Sequence, residues 1–167
     1  NAVNSTFWGR RILKDWGEGN KDYQDPVTPM TSTTNATPGE ATWDHRFFGD
    51  DSKTWAQGGG DFTDNDFAEA QDFEFFANRF PDRDVGDELN GEGIDTLNGW
   101  LADPSSNFGW VIKSESAAGG TARQFASREY SVPEHRPQLT IVYSVLGPAE
   151  PVIQSIQKEG DSVSIVY

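Results

Sequence analysis

The stretch SSNFGWVIKSE, Ser105–Glu115, decides how the rest of the chain is read. Phe108, Trp110 and Ile112 alternate with Gly109, Val111 and Lys113, the period-two pattern of a strand with one buried face. Trp110 is then either a ligand platform or a packing residue. Its place inside an alternating strand favours packing, with Gly109 allowing close approach from the other side. Trp100 and Trp16 are assigned to the core with it, so the opening expectation is a β protein packed around large rings.

Working outward, TFWGRRILK (6–14) reads as another strand, with Phe7, Arg11 and Leu13 on one face and Trp8, Arg10 and Ile12 on the other. A long polar loop rich in Gly, Pro and Thr follows, and loops of that length usually carry function or move. ATWDHRFF (41–48) reads as a short strand. In the acidic centre, Phe67, Ala70, Phe73, Phe76 and Phe80 recur every three or four residues. That spacing allows a short helix within 66–78 or irregular structure. IDTLNGWLADP (94–104) reads as a helical turn stopped before Pro104. ARQFASREY (122–130) and QLTIVYSV complete the strand signals, the latter placing Leu139, Ile141, Tyr143 and Val145 on one face. GPAEP (147–151) has the composition of a linker, and VIQSIQKEGDSVSIVY alternates on either side of a turn.

Composition narrows the function classes. With no cysteine, disulfides and thiolate metal sites are ruled out. A formal charge of −14 leaves little to neutralise phosphates, which argues against nucleic acid and against anionic membrane surfaces. No apolar run is long enough for membrane insertion.

Four stretches line up in order: DWGEGN (15–20), ATWDHRF (41–47) with WAQGGGDF (55–62), GWLADPSSNFGWVIK (99–113), and FASREYSVPEHRPQLTIVY (125–143). Together they resemble the DNRLRE-type domain, a family of secreted and surface proteins related to carbohydrate-binding modules. The resemblance spans residues 7–145. It implies an all-β fold, a jelly-roll-like antiparallel β-sandwich with long loops and one or two short helices. It also implies an extracellular or cell-surface location, a non-catalytic role, and polysaccharide binding with Ca²⁺ as a structural ion in some members. On this reading residues 1–146 are the C-terminal part of the sandwich, 147–151 the linker, and 152–167 the first hairpin of a following β domain. The sandwich's first strands are then expected from the same polypeptide or an adjacent chain. Its core is expected to hold Trp16, Trp100, Phe108, Trp110, Phe125, Leu139 and Ile141.

Ligand candidates fall in the loops, where binding residues concentrate. Tyr23, Trp43 and Trp55 offer rings for stacking on a sugar, and Arg46, next to His45, offers a guanidinium for a hydroxyl or a uronate. Asp61, Asp64 and Asp66 in GGGDFTDND are closely spaced hard oxygen ligands that suit Ca²⁺, although the spacing is not that of an EF-hand loop. The competing reading is a solvated acidic loop that caps a helix. Asp82, Asp84, Asp87 and Glu88 carry the same two alternatives. No G-x-S-x-G elbow is present and His45 and His135 lack metal-ligand spacing, so an enzyme is not expected. The leading expectation is a polysaccharide-binding module. The alternative is an architectural subunit of a surface layer, sheath or filament whose strand edges meet neighbouring protein subunits.

Overall fold

The computed structural model describes residues 3–19, 35–78, 85–115, 119–123, 125–128 and 130–143, together with the strands at 155–159 and 162–166. The chain divides into two units, one made of residues 1–11 and 70–167, the other of residues 12–69.

In the first unit, STFWGRR forms β1 (Ser5–Arg11), FEFFA forms β2 (Phe73–Ala77), and WVIKS forms β3 (Trp110–Ser114). They make one antiparallel sheet with β1 in the middle, in the order β2-β1-β3. Phe7 pairs with Phe75 and with Ser114, and Gly9 pairs with Phe73 and with Ile112. This register places Phe7, Phe73, Phe75 and Trp110 on one face. Phe7 and Phe75 stack with ring centroids 5.6 Å apart. Phe73 lies across Gly9 so closely that a Cβ there would fall 2.1 Å from the ring, which is why the middle strand carries a glycine at that point.

One end of the face is covered by α1 (Gly91–Ala102). Three glycines make GEGIDTLNGWLA a poor intrinsic helix former. The helix is held instead by its start and its buried stripe. Asn90 Oδ1 accepts from the Gly93 amide at 3.0 Å, and Gly93, Thr96, Leu97 and Trp100 point inward at helical spacing. Leu89, Leu97 and Trp100 cluster with Phe73, Ile94 and Trp110. A 3-10 turn follows at Pro104–Ser106, so the helix stops ahead of Pro104 as its sequence suggests. β4 (Ser155–Glu159) and β5 (Ser162–Val166) form a separate two-stranded antiparallel ribbon at the position where a hairpin was expected, while the linker 147–151 lies outside the described residues.

The fold shown is therefore a small antiparallel β-rich one, with one helix and much irregular chain among the described residues. Several expectations need correcting. Residues 66–72 are irregular and 73–77 are strand, because pairing with β1 overrides the three-to-four spacing of the phenylalanines. ATWDHRFF contributes only an isolated bridge, His45 to Thr54. The described parts of 122–130 and 138–145 contain no strand. Phe125, Leu139 and Ile141, expected in the core, are 43%, 45% and 36% exposed. Phe125 still sets its ring edge-on to Phe7 and Phe75, whereas no described strand pairs with 138–143 to bury the alternating side. Of the other expected core residues, Trp100 is buried and Trp16, Phe108 and Trp110 are half-buried.

The second unit is built of turns around Ile12, Asp66 and Phe67, all buried. Ile12 and Phe67 form a bridge, and the Leu13 amide donates to the Asp66 carbonyl at 2.9 Å.

Candidate functional site

In the second unit, the turn Thr42–His45 is closed at both ends. The Thr42 amide donates to the His45 carbonyl at 2.8 Å, and the His45 amide donates to Thr42 Oγ1 at 3.0 Å. Trp55 fastens it from below: its amide donates to the Asp44 carbonyl at 3.0 Å and its indole N–H to the Thr42 carbonyl at 3.0 Å. The Trp55 ring in turn packs on Phe67, with centroids 5.1 Å apart. Trp43 and Asp44 stand at the tip of this fixed turn.

Trp43 is 73% exposed. A tryptophan so open is normally mobile, yet this one rests on backbone. A Cβ on Gly58 would lie 2.7 Å from Trp43 Nε1, and a Cβ on Gly59 would lie 2.5 Å from Cη2. The two glycines thus run beneath the indole from its pyrrole edge to its benzo edge. The Gly59 amide donates to the Trp43 carbonyl at 2.7 Å, which locks shelf to turn. Gly59 and Gly60 have φ of +79° and +81°, the left-handed region that glycine enters freely. One face of Trp43 is supported and the other is open to solvent. Asp44 Oδ1 crowds the same glycine, 3.0 Å from the point that a Gly58 Cβ would occupy.

The other sequence candidates take different places. Arg46 donates to the backbone carbonyls of Asp15 at 2.7 Å and Thr54 at 3.3 Å, a scaffolding role. Trp55 is half-buried and serves the same purpose. Tyr23 lies outside the described residues, as do Asp82 and Asp84.

Asp66 is fully buried and takes protein donors on both oxygens. Lys14 Nζ lies 2.9 Å from Oδ1, while the amides of Ala56 and Asp61 donate to Oδ2 at 2.7 and 2.9 Å. Burial pushes the carboxyl up, but Lys14 and the two amides outweigh it and hold its pKa below the ordinary value. Asp61 accepts from the Thr63 amide and hydroxyl, and Asp64, at φ 59°, accepts from the Glu69 amide. These carboxylates shape the loop through N–H and O–H donors. Among the described residues no three His, Asp or Glu side chains are arranged to hold a metal ion.

In the first unit, Trp110 packs against Trp100 at 4.7 Å, and its indole N–H donates to the buried carboxylate of Asp72. Burial raises the Asp72 pKa, outweighing the hydrogen bonds from Trp110 and Thr96 and the charge of Arg11. Trp110 is thus a packing residue with a satisfied polar edge. A cleft of about 300 Å³ nearby is lined by Gln71, Phe73, Glu74, Asp87, Glu88 and Asn90. The Asn90 amide is already committed to the Gln71 carbonyl at 2.6 Å and to the helix cap.

Trp43 is a candidate that the sequence already offered, but the shelf beneath it is not. Its signal was the triplet Gly58-Gly59-Gly60, where missing side chains let two rings, Trp43 and Phe67, approach the backbone. No family model matches the chain, and no curated protein or solved structure matches it.

Proposed function

We propose that the chain is a non-catalytic module of a secreted or cell-surface protein and that it binds polysaccharide through Trp43. One observation carries this reading: an open indole face held flat on a glycine shelf. A pyranose presents a patch of C–H groups that can stack on such a face, and a ring fixed before binding loses little entropy when the sugar arrives. The finer fold in this proposal is a DNRLRE-type jelly-roll sandwich with β1–β3 as part of one sheet. The exposed Phe76, Ile112, Leu139 and Ile141 would then be covered by strands from the same polypeptide or a neighbouring chain.

The test is titration of the chain against a panel of soluble polysaccharides, followed by tryptophan fluorescence. Trp43→Ala is expected to weaken binding by about tenfold or more, as truncation of a central aromatic contact does, with thermal unfolding unchanged. A folded wild-type chain that binds no glycan sinks the proposal.

A second reading, an architectural subunit, is favoured by β2, an outer strand that carries Phe76 60% exposed. Light scattering separates the two, since a binding module stays monomeric over a concentration range in which an architectural subunit assembles.

A further inference from the structure

We propose that the Trp43 shelf selects uncharged polysaccharide and rejects uronate polymers, an inference that rests on Trp43 being a sugar platform. The carboxylate of Asp44 and the indole Nε1 of Trp43 both crowd Gly58, 3.0 and 2.7 Å from the point that its Cβ would occupy, and the carboxylate has no hydrogen bond or ion pair to any described residue. A carboxylate can accept from two adjacent hydroxyls, and an indole N–H can donate to a third oxygen. Platform, acceptor and donor together match a neutral pyranose: C–H groups on one face, vicinal hydroxyls at the rim.

The same carboxylate repels a sugar that carries its own, and no ion pair among the described residues offsets it. The described basic side chains of this unit are all occupied. Lys14 is held by Asp66 and Asn65, at 2.9 and 2.8 Å. Arg46 is held by the Asp15 and Thr54 carbonyls. His45 faces Asp51 at 3.3 Å, and Lys53 lies 3.8 Å from Asp50 with its ammonium over the Phe47 ring. The Asp51 side chain is fully exposed. A uronate stacked on Trp43 would therefore meet the exposed carboxylate of Asp44, while the described basic side chains of this unit already donate to protein oxygens, and like charges set side by side work against binding.

The experiment uses the full chain, with calorimetric titration of neutral oligosaccharides (gluco-, manno- and xylo-oligomers), oligogalacturonate and a glucosamine oligomer at low and high salt. A neutral oligomer is expected to bind with an affinity that salt hardly changes. Oligogalacturonate is expected to bind at least about tenfold more weakly. Asp44→Lys is expected to narrow or reverse that preference, and Gly58→Ala, whose Cβ pushes the indole off its shelf without backbone strain, to lose binding of every sugar. Oligogalacturonate bound best and released by Trp43→Ala would overturn the selectivity while leaving the glycan-binding reading intact. Preference for the glucosamine oligomer that high salt removes would also overturn it, since attraction of charge would then replace hydroxyl recognition. Binding of none of them by the folded chain overturns both.

Discussion

Asp66 and Asp72 are both buried aspartates, yet their surroundings drive them in opposite directions. Asp66 receives one ammonium and two amide N–H groups, so its folded-state pKa lies below the ordinary 3.8. Its stabilisation is complete above that value and is lost as pH falls through the folded-state pKa. Asp72 is pushed above 3.8, chiefly by burial. Its contribution is complete below the unfolded-state value and declines as pH rises through the folded-state pKa. Two substitutions separate these effects in chemical-denaturation curves taken across pH. Asp66→Ala takes the shared acceptor from Lys14 and from the Ala56 and Asp61 amides and is expected to cost about 3 kcal/mol near neutrality, a cost that shrinks toward acid. Asp72→Asn keeps an acceptor for the Trp110 indole and removes the buried charge. Its stability relative to wild type is expected to rise with pH between the unfolded- and folded-state pKa of Asp72, then level off. A flat difference would mean that Asp72 is not the group being titrated. Neither environment could be read from the sequence, where both residues sit in a run of acidic positions with nothing to mark Lys14 or Trp110 as partners.

At the level of elements, legibility followed pattern where a partner strand existed to enforce it. β1 and β3 were foreshadowed by alternation in TFWGRRILK and FGWVIKSE. QLTIVY alternates just as regularly but has no strand partner among the described residues, and alternation without pairing buries nothing. β2 was hidden because its phenylalanines also satisfy a helical spacing, and only pairing with β1 settles the period. α1 was seen late, at residue 94 rather than 91, because its first turn is glycine-rich and its stability rests on a cap. Asn90 makes four bonds there: its amide donates to the Asp72 carbonyl at 2.9 Å, its Nδ2 to the Gln71 carbonyl at 2.6 Å, its Oδ1 accepts from Gly93, and its carbonyl accepts from the Ile94 amide at 3.0 Å. Asn90→Ala is expected to cost about 1–2 kcal/mol in thermal unfolding, at the upper end for a cap because the side chain also ties the helix start to the chain leading into β2. Asn90→Asp keeps the cap and loses the Gln71 bond, so it should fall between the two. Equal stability of all three forms would show that the buried stripe alone holds α1.

For the whole molecule, a charge of −14 on 167 residues is carried by an excess of acidic over basic groups, and like charges resist compaction. Two kinds of cation effect follow from different physics. Diffuse screening shortens the reach of repulsion to about 8 Å at physiological ionic strength and depends on ionic strength rather than on the identity of the ion. A discrete Ca²⁺ site needs six to eight oxygens converging on one point. The loop that most suggested such a site has spent its carboxylates on protein donors: Asp66 on Lys14, Ala56 and Asp61, Asp61 on Thr63, Asp64 on Glu69. Screening is therefore expected to dominate. Sodium chloride should raise the unfolding midpoint, by about 2–4 °C for each kcal/mol of repulsion relieved in a chain of this length. Calcium chloride at matched ionic strength should do no more than magnesium chloride. A rise specific to calcium, saturating at low concentration and removed by Asp61→Asn, would instead require the Asp61–Asp66 loop to open and exchange its N–H donors for the ion.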